Sequence, residues 1–370
     1  MGLSVNNLSF LYCGYGITKV GTSFTSRAGL WFATIINLQI SQIGVYNCNG
    51  YGISALKLWG DVLISDAVIA FNSGNTDYTG GNVFIYLGGA SWKHNSVTVT
   101  IESCTIAFGS STYPQFYSPG LQIRVGIFST NTDIRIINSQ FSSNMLKYQN
   151  RKKVKKVVWI HPGNVVIDLV SSIQNTSHTI KVENCTFEFG KNLSGLVLAV
   201  SKSWEHLSCS PLESSISETY TVHIFNTIFL YNFCDSVAGC GGLSIVIRNK
   251  TCHDTSIYIK KTTFDDNRSG GIGGNILIAA DIFQSSNLVH AIKMENVTVR
   301  NGVAFFGGGL HLYTGSGISG SEQGNQCNLN VSLILYVLNT NFINNWAVSG
   351  GGLYVITLSR VLKLYVAILY

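Results

Sequence analysis

Residues 222–245 read VHIFNTIFLYNFCDSVAGCGGLSI. Val222 and Ile224 are two apart, the period of a strand with one buried face. Thr227 and Phe229 are also two apart but out of phase with the first pair, so the chain must bend between them. Asn226 stands at the bend; Asn tolerates the left-handed backbone and bonds its own neighbours, which suits a sharp corner. Asn232 follows three residues after Phe229, and Gly241-Gly242-Leu243 opens a third strand through a glycine corner. Strand, Asn corner, strand, Gly corner, strand describes one triangular coil.

The same pattern recurs ten times, anchored on Phe10, Val45, Ile69, Ile106, Phe141, Phe187, Phe229, Phe264, Val299 and Phe342. Seven residues before each anchor stand Leu3, Leu38, Val62, Val99, Ile134, Ile180, Val222, Ile257, Ile292 and Leu335. Five before stand Val5, Ile40, Ile64, Ile101, Ile136, Val182, Ile224, Ile259, Met294 and Val337. The position three before the anchor is Asn in Asn7, Asn138, Asn184, Asn226, Asn296 and Asn339. A second Asn column, three after the anchor, holds Asn72, Asn144, Asn232, Asn267 and Asn345. Gly-led strands follow at Gly80-Gly81-Asn82, Gly120-Leu121, Gly273-Gly274-Asn275, Gly307-Gly308-Gly309 and Gly350-Gly351-Gly352.

Self-similarity at a short period is the mark of a solenoid. The shortest interval, Val45 to Ile69, is one coil without excursions, and longer ones add loops. Stacked in register, ten coils at roughly 4.8 Å each make a rod of about 40–50 Å, with Asn able to stack on Asn as amide ladders. A β-sandwich of short strands does not produce ten copies in phase. The predicted fold is all-β, a right-handed parallel β-helix, the handedness following from the preference for right-handed crossovers. One domain spans 1–370, with a basic loop insertion at 147–156 and excursions at 201–220 and 314–332. Neither end shows a cap over its open edge, so the chain reads as truncated at both ends.

Charged residues make up 11% of the chain, against roughly 25% in ordinary soluble domains; Ser, Thr, Asn and Gly replace them. The net charge of +6 comes from Lys147, Arg151, Lys152, Lys153, Lys155 and Lys156, without which basic and acidic residues balance. A distributed nucleic-acid groove is therefore not indicated. Nine cysteines suit a secreted protein. Cys13 and Cys48 share a column in adjacent coils, close enough for a disulfide. Cys104 and Cys185 share another column, but Ser139 lies between them and keeps them two coils apart. Cys209 and Cys252 flank the Phe229 coil and can meet, and Cys234 and Cys240 can close a local loop. Sequons at Asn7, Asn184, Asn267 and Asn296 fall in the repeat columns; Asn175, Asn192, Asn249 and Asn330 are the candidate glycan acceptors. No signal peptide opens the chain. The apolar tail from Leu353 is broken by Arg360 and Lys363, short of the roughly 20 residues of a membrane span. Membrane contact would need an anchor in flanking sequence.

With Phe-x-x-Asn at Phe141–Asn144, Phe229–Asn232, Phe264–Asn267 and Phe342–Asn345, and Gly-Gly-x-aliphatic after it, the chain resembles right-handed parallel β-helix proteins over nearly its whole length. The repeats are similar to those of chlamydial polymorphic outer-membrane proteins, and to the uncharacterised β-helix proteins abundant in simple animals such as sponges. Those resemblances imply a secreted or surface-exposed scaffold.

The superfamily also includes pectate lyases and polygalacturonases. Polygalacturonases carry Asn-Thr-Asp, Asp-Asp, Gly-His-Gly and Arg-Ile-Lys. Here Asn75-Thr76-Asp77 and Asn131-Thr132-Asp133 match the first and Asp265-Asp266 the second, while the last two do not occur. Trp159-Ile160-His161 resembles the Trp-Ile-Asp-His stretch of pectate lyases but lacks its Asp. No catalytic set, cofactor site or metal site is assigned: His94, His161, His178, His206, His223, His253, His290 and His311 are dispersed. Tyr78, Trp92, Tyr113, Phe116, Tyr117 and Trp204 lie in excursions, placed to stack on sugars or to pack loops onto the solenoid. The expected function is a non-enzymatic extracellular or surface-exposed scaffold binding protein or glycan through loops on one side; the alternative is a polysaccharide lyase or hydrolase of the pectin-degrading type.

Overall fold

The computed structural model describes residues 2–11, 28–73, 81–87, 96–111, 118–126, 131–147, 163–170, 176–201, 218–235, 239–249, 253–282, 288–315, 331–357 and 362–369. Among them every regular element is a strand. The strands build an all-β parallel solenoid. Sheet 1 carries the two aliphatic columns, sheet 2 the anchors and sheet 3 the Gly-led strands. Sheet 2 has ten strands. Sheets 1 and 3 are joined through the continuous strand Tyr51–Ser65, which pairs in sheet 3 by its first half and in sheet 1 by its second.

The aliphatic and anchor columns read from the sequence are in register. Leu38 pairs with Val62 and Ile134 with Ile180; Ile136 pairs with Val182 in parallel; Phe141, Phe187, Phe229 and Phe264 are successive partners. From the second coil to the ninth these side chains are buried. The four phenylalanines stack face to face, with centroids 5.1, 4.8 and 4.7 Å apart and planes within 7°. One ring per coil step fills the narrow interior.

The phase flip before each anchor is a left-handed residue in all ten coils. Asn7, Gln42, Asp66, Ser103, Asn138, Asn184, Asn226, Lys261, Asn296 and Asn339 have φ between 46° and 55°. Where Asn recurs, the amides form the expected ladder: Asn226 Nδ2 donates to Asn184 Oδ1 at 2.8 Å, and Asn184 Nδ2 to Asn138 Oδ1 at 3.1 Å.

The glycine corner needs a correction. Gly307 and Gly350 do have positive φ, 64° and 66°. Gly120 does not; a Cβ there would lie 2.1 Å from the carbonyl oxygen of Asn164 in the next coil. Close backbone approach, not conformation, excludes a side chain at that position. A short rim of two- to four-residue strands also runs between sheets 2 and 3, as in Phe233–Cys234, Arg268–Ser269 and Trp346–Ser349. The three-strand reading did not include it.

Two boundaries move. Ser201 and Glu218–Tyr220 belong to strands, as do Thr314, Gly315, Val331 and Ser332, so the two excursions are shorter than 201–220 and 314–332. Of the basic run, only Lys147 is among the described residues. The C-terminal apolar stretch is two strands. Leu353–Thr357 pairs with Leu310–Thr314, and Leu362–Leu369 with Val331–Leu338, which begins an eleventh rung of sheet 1. No helix among the described residues is long and apolar enough to cross a membrane.

Candidate functional site

The Asn column three after the anchor faces inward. Asn72, Asn144, Asn232 and Asn267 are fully buried and bond the backbone of the neighbouring coil, as Asn232 Nδ2 does to Phe187 O at 2.8 Å. In three coils this position is instead Gly109, Gly190 or Gly302. There the Asn of the preceding Gly-led strand (Asn82, Asn164, Asn275) occupies the space: a Cβ on Gly109 would lie 2.7 Å from Asn82 Nδ2. The ladder continues through these substitutes, Asn72 to Asn82 at 2.8 Å and Asn82 to Asn144 at 3.1 Å. It is a structural element, and it fixes where the outward side chains of this corner stand.

Those outward side chains form the candidate site. Two residues after each anchor from the second coil on, the chain turns again through left-handed backbone, at Asn47, Phe71, Phe108, Ser143, Phe189, Tyr231, Asp266, Asn301 and Asn344, with φ of 51–60°. Asn and Asp visit this region readily, whereas a phenylalanine or tyrosine there costs about 1 kcal/mol or more. Yet four positions are aromatic, and their rings are about half exposed: Phe71 52%, Phe108 49%, Phe189 49%, Tyr231 47%. They stack in pairs. Phe71 and Phe108 lie 4.7 Å apart with planes 1° from parallel, and Phe189 and Tyr231 lie 5.4 Å apart at 19°. The solenoid has no need of these rings for its core.

Beside Tyr231 an open depression of about 380 Å³ is lined by Tyr231, Asn232, Phe233, Asp266 and Arg268. Arg268 Nη2 lies 3.3 Å from Asp266 Oδ1, while Asp265 accepts from Arg300 Nη2 at 2.7 Å and from Asn301 Nδ2 at 2.8 Å. The Asp265 carboxylate holds the Arg300 guanidinium above its ordinary pKa. An aromatic wall beside paired charges can stack on a flat or ring-shaped guest and hydrogen-bond its edge.

Among the described residues, Asp133 is not brought to Asp265 and Asp266. Asp265 and Asp266 each pair with an arginine, and Asp133 pairs with Arg135 on a different sheet, three coils away. Asn75-Thr76-Asp77 and Trp159-Ile160-His161 lie outside the described residues, as do the six aromatic candidates Tyr78, Trp92, Tyr113, Phe116, Tyr117 and Trp204. The exposed aromatics of the corner were missed, although their spacing from the anchors was present in the sequence. Among the described residues no three of His, Cys, Asp and Glu converge as metal ligands would. His223 stands on the outward side of sheet 1, stacked on Tyr258 at 5.0 Å; partial burial, then Lys181, lowers its pKa.

Cys104, Ser139 and Cys185 occupy successive coils, Cys104 N donating to Ser139 Oγ at 3.1 Å. Both thiols donate to carbonyls, and burial pushes them up to about 11 and about 12. Cys234 and Cys240 are buried neighbours; the Cys240 thiol donates to Leu243 O at 2.9 Å, and burial, then Cys234, raises it well above its ordinary range. Cys48 is buried, with its amide on Asn72 Oδ1. Cys13, Cys209 and Cys252 lie outside the described residues, as do Asn175 and Asn330. Asn249 ends a strand of sheet 3. Asn192 Nδ2, the atom a glycan would take, donates to Leu146 O at 3.1 Å.

Comparison of the chain with protein-family models, with curated proteins and with solved structures finds no match.

Proposed function

We propose that the chain is a non-enzymatic β-solenoid scaffold, extracellular or surface-exposed, that binds protein or glycan through the aromatic corner. The observation that carries this reading is the placement of Phe71, Phe108, Phe189 and Tyr231, half exposed, at left-handed positions where Asn would be less strained. Residues that break a local rule without serving the core are where function is expected. The low charge, nine cysteines and sequons outside the columns support an extracellular setting. So does the resemblance to the β-helix proteins abundant in simple animals such as sponges.

The rival, a polysaccharide lyase or hydrolase, needs converging carboxylates; of the acids named for it, the three among the described residues, Asp133, Asp265 and Asp266, are each paired with an arginine. Secreted protein applied to a glycan array, and incubated with pectic polysaccharides, separates the two. Binding without new reducing ends or unsaturated uronides is the expected result. Cleavage abolished by Asp265→Asn would overturn the scaffold reading in favour of the enzyme.

A further inference from the structure

The exposed aromatic column has one gap. Phe71 and Phe108 fill two successive steps, Phe189 and Tyr231 fill two more, and between Phe108 and Phe189 stands Ser143. The register allows no slippage, because Ala107, Ser142 and Glu188, the residues just before these three, are successive partners in sheet 2. The rings of Phe108 and Phe189 are thus two coil steps apart, about 9.6 Å. A ring midway between them would sit about 4.8 Å from each, within the ordinary range of stacked centroids. The filled steps of this column, 4.7 and 5.4 Å, show that spacing in use.

We infer that this gap is a binding slot for one pyranose ring of a saccharide. The inference rests on the binding reading above and names its ligand class. Two half-exposed phenyl faces form the walls, each with its other face already covered by Phe71 or Tyr231. Their faces carry the negative part of the aromatic quadrupole, which attracts the polarised C–H bonds of a sugar ring. The rim is polar on the sheet 2 side and mixed towards the short rim, where half-buried Met145 stands between Ser110 and Lys191. Ser143 supplies a hydroxyl at the floor, Gln140 Nε2 and Glu188 Oε1 are joined at 2.7 Å on the sheet 2 side, and exposed Lys191 stands towards the short rim. A guest with apolar faces and hydroxyls around its edge satisfies walls and rim together. A bare aromatic ring would satisfy the walls but strip water from the rim without replacing its hydrogen bonds.

The slot is tested by saturation-transfer NMR on the whole chain, with methyl β-glucopyranoside, methyl β-galactopyranoside and methyl N-acetyl-β-glucosaminide as separate probes and indole as the flat control. At least one glycoside is expected to receive saturation at its ring C–H protons. Ser143→Phe places a ring where Phe already stands in three equivalent coils, so it should fold, complete the stack and abolish the signal. Ser143→Gly leaves the slot open but removes the floor hydroxyl, and should weaken the signal without abolishing it. Phe108→Ala and Phe189→Ala remove one wall each and should weaken binding roughly three- to tenfold; they decide the matter if Ser143→Phe does not fold. A signal undiminished in all three wall and plug variants would overturn the proposal, as would indole binding better than every glycoside, or no glycoside binding at all. The wider reading is distinguished by the array: array binding lost in Tyr231→Ala but kept in Ser143→Phe removes the slot and leaves the corner.

Discussion

At the scale of single residues, two kinds of left-handed corner behave differently, and the difference separates structure from function. The corner before the anchor takes whichever short or polar side chain tolerates positive φ, and stacked Asn there adds an exposed ladder. The buried Asn after the second corner is far more constrained. Asn232 donates to Phe187 O and Asn267 Oδ1 and accepts from Gly190 N and Asn164 Nδ2. Asn232→Ala strands buried donors and acceptors at about 1–3 kcal/mol each, so a total loss of about 3 kcal/mol or more is expected in urea unfolding. Asn184→Ala, on the exposed ladder, should cost about 1 kcal/mol or less, because water replaces its partners. Equal losses at the two sites would contradict this account. The Asn column three after the anchor was legible in the sequence; that it faces inward, and the exchange of Asn82, Asn164 and Asn275 into the places of Gly109, Gly190 and Gly302, were not. The exchange becomes visible only when coils are stacked, since each pair belongs to different turns.

At the scale of elements, the columns were readable because a strand buried on one face repeats with period two, and a bend must invert the phase. Val222, Ile224 and Phe229 therefore announce two sheets and the corner between them. The rim strands were not readable: a two-residue strand such as Phe233–Cys234 has no periodicity to detect. Nor did Phe71 or Phe189 announce a corner, since an aromatic side chain is not the residue that positive φ selects. Sheet 2 depends on its ring stack. Phe187→Ala removes a ring held between Phe141 and Phe229, and should cost about 3–5 kcal/mol by urea unfolding. A loss under 1 kcal/mol would mean that the interior is not close-packed there.

Sheet 3 is buried on its outer side as well, with Val166, Val197 and Ala199 in one cluster and Leu277, Ala279 and Cys240 in another. Buried in that outer layer, His311 lies beside Tyr354, and desolvation lowers its pKa from 6.5 to about 4. A depressed folded-state pKa contributes stability that is fully present above pH 6.5 and lost as pH falls through 4. The slope in that window is roughly 1.4 kcal/mol per pH unit at most. Thermal unfolding of wild type and His311→Asn across that range is the check; parallel pH profiles would remove His311 from the explanation.

At the scale of the whole molecule, the solenoid is one-dimensional: each coil contacts its neighbours, and stability is approximately a sum over adjacent coils. The interior columns, the Asn ladder, the aromatic corner and the slot over Ser143 all rest on one premise, one coil per anchor in unbroken parallel register. The premise was legible at full length because ten copies share it, whereas the ligand was not, because the corner that carries the aromatics is read only after the register is known. Gln39 and Tyr336 are outward-facing members of one sheet 1 column, in the second and tenth coils. Pulsed dipolar EPR between unnatural-amino-acid spin labels at these two positions measures the stack directly. Eight steps at about 4.8 Å predict a main distance of about 38 Å, broadened by the labels. A main distance below about 25 Å would mean that the coils are not stacked one per anchor, and would contradict the account.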